Sequence, residues 1–120
     1  MDTRHLRRQE LVQQLYAYSY KTSQAEPSSD FPTMQKIVSY LSEIDVIIQK
    51  SAPKYTIDKI AKTDLAILRL AVYELNFEKI EPQKVVINEA VELAKEFGGE
   101  HSYKFVNAVL AKVTSLSLVK

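Results

Sequence analysis

Apolar residues recur at intervals of three, four and seven positions along almost the whole chain, the spacing that lines one side of an α-helix. No segment alternates apolar and polar residues every second position between hairpin turn signals, so no strand is predicted. The pattern predicts an all-α protein, a compact helical bundle of five main helices and one short extra turn, forming a single domain over residues 1–120. The first helix is expected over residues 3–21, with Leu11, Val12, Leu15 and Tyr18 sharing its inner face. Residues 22–32 are polar and broken by Pro27 and Pro32, and read as a flexible loop. A second helix over residues 33–49 turns Ile37, Tyr40, Leu41, Ile44 and either Ile47 or Ile48 inward, and Pro53 ends it. Residues 55–60 form a short helical turn at most.

Thr63 or Asp64 can N-cap the next helix, residues 65–77, by accepting a bond from an unpaired backbone N–H. Its apolar residues surround nearly the whole circumference, which places this helix at the centre of the bundle. Pro82 suits the first position of the following helix, where its missing N–H costs nothing. That helix presents Val86, Ile87, Ala90, Leu93, Ala94 and Phe97 inward and ends with Gly98 as a left-handed C-cap. The last helix, residues 101–116, turns Tyr103, Val106, Leu110 and Val113 inward.

Composition narrows the chemistry. Hydrophobic residues make up 46% of the 120 and charged residues 26%, the balance of an ordinary globular domain. Cysteine is absent, which removes disulfides, thiolate metal sites and cysteine nucleophiles together. The two glycines are adjacent, Gly98 and Gly99, so neither common glycine-rich phosphate loop can form. His5 and His101 are the two histidines and stand far apart in sequence, so no histidine metal site is expected. No nucleophile–histidine–acid arrangement is visible, and neither enzymatic activity nor a cofactor is predicted. No apolar run approaches the roughly 20 residues that span a bilayer, and the polar start lacks a signal core, so a cytoplasmic protein is expected. A net charge of +1 gives no global attraction to nucleic acid; such binding must come from a local patch.

Two patches qualify. Arg4, His5, Arg7 and Arg8 open the first helix, where cations oppose the helix dipole and need another reason to be present. Arg4 and Arg8 lie one turn apart, above the apolar stripe, and can fork onto phosphates; a solvated helix start is the plainer alternative. The second patch is Glu100, His101, Lys104 and Phe105, after the Gly98-Gly99 turn. Phe105 falls at the margin of its helix's apolar stripe, beside Lys112. There it can stack on a base while Lys104 meets a phosphate, or it can simply close the edge of the core. A third polar set lies inside the bundle. Arg69 sits close to the apolar stripe of the central helix and must be paired, and Glu89 is the expected partner in a structural ion pair.

Longer strings carry more than spacing does. They are Leu68-Arg69-Leu70-Ala71-Val72-Tyr73-Glu74-Leu75, then Val86-Ile87-Asn88-Glu89-Ala90-Val91-Glu92-Leu93-Ala94-Lys95 with Phe97-Gly98, and Ser102-Tyr103-Lys104-Phe105-Val106-Asn107-Ala108-Val109-Leu110. Together with Arg8 and the Leu15-Tyr16 pair, they resemble the NusB transcription antitermination family, densely over residues 57–113 and more loosely over 4–18. The resemblance implies a helical NusB fold of two small subdomains. It implies binding of the single-stranded boxA element of ribosomal RNA leader transcripts together with the ribosomal protein NusE, and delivery of both to the RNA polymerase elongation complex. It maps RNA contacts onto Arg4, His5, Arg7, Arg8, Glu100, His101, Lys104 and Phe105, and a protein-partner contact onto Asp64. NusB-like domains also form the N-terminal module of ribosomal RNA cytosine methyltransferases. A protein-interaction or homodimer module without RNA binding of its own is therefore the alternative. The chain departs from the family pattern at His5 and Leu6, which interrupt the basic start, and at Leu11, His101 and Ala108.

Overall fold

Ten consecutive residues, Asp64 to Tyr73, are buried, which requires a helix wrapped on every side. In the computed structural model, which describes residues 3–20 and 32–119 with side chains as far as Leu116, that helix is α4 (Lys62–Tyr73). Around it lie α1 (Thr3–Tyr18), α2 (Pro32–Ser39), α3 (Leu41–Ser51), α5 (Gln83–Phe97) and α6 (Glu100–Val119), each packed against it. Among the described residues there is no strand. The apolar faces close on one hydrophobic cluster that runs from Leu11 and Leu15 through Met34, Ile37, Ile44 and Ile48 to Leu93, Leu110 and Val113. The expected loop over 22–32 lies outside the described residues, apart from Pro32, which opens α2.

Several local expectations are corrected. The second helix is two helices, broken at Tyr40, whose φ of −103° and ψ of 8° leave the α region. The Ser39 hydroxyl donates to the Lys36 carbonyl and so competes with the helical ladder at this point. Tyr40 accordingly does not point inward: its ring stacks on Phe77, with centroids 4.5 Å apart, and Leu41 is only half-buried. Secondly, α4 starts at Lys62 with Ala61 at its cap position and no side-chain capping bond, so neither Thr63 nor Asp64 is the N-cap. Thirdly, α4 does not continue regularly to Phe77. It widens into a π-helical turn, Glu74–Glu78, closed by a bond from the Lys79 N–H to the Glu74 carbonyl and ended by Lys79 at φ 58°.

Fourthly, the left-handed residue after α5 is Gly99, at φ 102°, and not Gly98. Gly98 is required for a different reason. A Cβ there would stand 2.2 Å from the Ser102 hydroxyl oxygen, so the end of α5 lies directly against the first turn of α6. Phe97, expected inward, is half turned to solvent.

Candidate functional site

The basic start of α1 is in the main already neutralised. Arg8 is 7% exposed and forks onto Glu74 of the π turn, with Nε to Oε2 at 2.9 Å and Nη2 to Oε1 at 2.8 Å. Its Nη1 also reaches Glu89 Oε1 on α5 at 3.3 Å. A buried guanidinium so held cannot serve as the phosphate contact expected of Arg8; it ties α1 to the end of α4 and to α5. Arg4, exposed, bonds Glu81 at 2.8 Å. His5 stands between Glu89 and Glu96 of α5, and hydrogen bonding first to Glu89 and then to Glu96 raises its pKa above the usual value. Arg7 projects to the other side of the helix, exposed, and donates to the Thr33 hydroxyl of α2 at 2.6 Å. Arg4, His5 and Arg8 therefore have the reason that the sequence left open: acidic groups of neighbouring elements face them.

The polar pair inside the bundle is a different one from that expected. Arg69 forks onto Asp45 of α3, at 3.0 and 2.9 Å, and Glu89 serves His5 and Arg8. Arg69 leaves α4 on the side that α3 covers, whereas Glu89 faces α1, so the two cannot meet. Asp64 is buried in the first turn of α4, and its Oδ1 has no hydrogen-bond partner. Burial raises its pKa, and the Ser102 hydroxyl of α6 offsets part of the effect. Little of Asp64 is left for a protein partner to touch; its neighbour is α6 itself.

The start of α6 has another character. Glu100, His101 and Lys104 are exposed, with Lys104 only loosely paired to Glu100 at 3.4 Å. Phe105 is half-buried and meets Tyr55 edge to face, with centroids 5.3 Å apart and planes at 76°. The two rings lie in an open, almost wholly apolar groove of about 510 Å³ between α6 and the end of α3. Ala52, Pro53 and Val109 also line it, along with Lys54 and Lys112. Lys104 does not share this groove. It lines a second one, of about 540 Å³, with Asn88, Lys95, Tyr103 and Asn107 between α5 and α6. The lysines that line the groove with Phe105 are thus Lys112, as its place on the helix predicted, and Lys54, which spacing could not supply. Tyr55 was also missed, because it belongs to a short irregular segment with no periodicity to place it.

Among the described residues no cluster of three candidate ligands could hold a metal ion, and no helix is long and apolar enough to cross a membrane. What the molecule offers is surface: an aromatic groove with lysines, and a helix start whose exposed cations are Arg4 and Arg7.

Comparison with known proteins places this surface in context. The NusB family model matches residues 5–115. The chain belongs to the NusB family. The transcription antitermination protein NusB of Geobacter sulfurreducens is 33% identical over 132 residues, covering 96% of each chain. That of Agathobacter rectalis is 51% identical over 76 residues, but this match spans 63% of the present chain and 58% of that protein's length. A solved structure of the antitermination factors NusB and NusE in complex with double-stranded RNA superposes with a TM-score of 0.77 at 25% identity, over 94% of this chain and 96% of that one. The helical bundle is therefore a NusB fold.

Proposed function

We propose that the protein is a transcription antitermination factor. It binds single-stranded, boxA-type RNA of ribosomal RNA leaders jointly with NusE, and presents both to the RNA polymerase elongation complex in the cytoplasm. Family membership supports the reading, as does the fold shared with a NusB that has been crystallised with NusE and RNA. The observation that carries it is the Tyr55–Phe105 pair in an open groove with Lys54 and Lys112. A ring with an exposed face stacks on any unpaired base, and flanking ammonium groups hold the phosphates on either side of it. No bond is made or broken; the protein acts by assembly. Arg4, Arg7 and Lys104 contribute phosphate contacts that position the strand without reading it.

Two ligands that favour each other must do so reciprocally. Titrating a boxA RNA oligonucleotide with the protein should give tighter binding when NusE is present than when either protein is alone. An unchanged affinity would favour an interaction or homodimer module that does not bind RNA.

A further inference from the structure

His5 is held by both of its ring nitrogens. Nδ1 lies 2.9 Å from Glu89 Oε1, and Nε2 lies 3.0 Å from each carboxylate oxygen of Glu96. An ionised carboxylate only accepts hydrogen bonds, so both nitrogens must donate, and only the doubly protonated ring does so. A neutral ring would turn one lone pair onto a carboxylate oxygen at the same distance. The imidazole is also largely covered, with 21% of its side chain exposed, so little water is at hand to relieve that opposition.

We propose that His5 is a protonation-controlled latch: as an imidazolium it fastens the first turn of α1 to α5 through Glu89 and Glu96, and on losing its proton it releases that turn. The charged groups facing it come from every element packed there. Arg4 and Arg8 belong to α1, Glu89 and Glu96 to α5, Glu81 to the segment before α5, and Glu74 to the π turn by way of Arg8. Those two cations face four carboxylates, a balance that favours keeping the proton on His5. The ring's hydrogen bonds to Glu89 and Glu96 act in the same direction, raising its pKa above 6.5. Because the folded value is raised, the latch contributes fully below pH 6.5 and is lost as the pH climbs through the folded value. Arg8 stays charged throughout and remains forked on Glu74, so the release stops one turn further along the helix.

If the RNA reading above holds, the latch also governs how Arg4 and His5 meet a phosphate, and RNA affinity then falls with rising pH. The latch itself is tested without RNA. Proton NMR of the full chain follows the two histidine rings through pH, with His101→Gln assigning them, while hydrogen exchange reports protection of the amides of residues 6–9, the first that the helix bonds. The expected result is a His5 midpoint above 6.5, a severalfold loss of protection across that midpoint, and a midpoint shifted down in Glu96→Gln. His5→Gln should show the low protection at every pH while circular dichroism keeps its helical signal. A His5 midpoint at or below 6.5, or protection that does not change across it, overturns the latch. Affinity for a boxA oligonucleotide is measured separately. Wild-type affinity falling more steeply with pH than that of His5→Gln supports the RNA consequence, and parallel slopes overturn that consequence alone.

Discussion

The starts of α1 and α6 both read as candidate RNA-binding patches, yet the fold uses their side chains in opposite ways. At α1 the positive groups meet carboxylates from the π turn, from the segment after it and from α5, so the charge is spent on holding helices together. At α6 the anchoring does not draw on the cations: Gly98 admits Ser102 at a distance no Cβ allows, and Asp64 underlies the same turn. Lys104 is consequently left in solvent, and Phe105 is left in an open groove. A basic motif is thus a weak guide to an anion site until its carboxylate neighbours are known.

The comparison breaks first at Arg8. Arg8→Met strands Glu74 in the interior, and losing one partner of a buried pair costs roughly 3–5 kcal/mol. Chemical denaturation should show a loss of that order, and a loss under about 1 kcal/mol, the worth of an exposed pair, would mean that Arg8 is free to act on ligands. The next effect belongs to α6. Phe105→Leu keeps most of the packing but removes the ring, and should weaken boxA RNA binding by about 1–3 kcal/mol with an unchanged salt slope. If the variant instead melts at a much lower temperature and binds normally per folded molecule, Phe105 only closes the core.

A smaller effect separates the two arginines of the α1 start. Arg4→Ala removes an exposed pair with Glu81, so thermal unfolding should register ~1 kcal/mol or less. A loss as large as that of Arg8→Met would make the whole start structural. The smallest effect concerns how α6 is seated. Burial raises the Asp64 pKa, so the folded state holds that proton more tightly than the unfolded chain does. Stability then declines as the pH rises from 3.8 through the raised value, the reverse of an ordinary carboxylate salt bridge. Asp64→Asn should remove this decline and leave the fold no weaker at pH 7. A marked loss at pH 7 would show that the ionised carboxylate supports the α6 start.

Periodicity alone determined the all-α fold class, which helix lies at its centre, and nearly all of the inward faces. Burial of apolar side chains repeats with the helix turn, and that repeat is written in sequence. The two patches were legible as residue types, and the strings around Glu74, Asn88 and Phe105 carried the family. Tertiary structure decided the rest, because it depended on which element lies opposite. Whether Arg69 finds Asp45 or Glu89 depends on which face of α4 receives α3. Whether Arg8 meets a phosphate or Glu74 depends on a π turn that no spacing announces. Tyr55 reaches Phe105 from an irregular segment, and Lys54 of the same segment lines the groove with it. Charge pairs and aromatic contacts join residues distant along the chain and have no period, so only the packed molecule settles them.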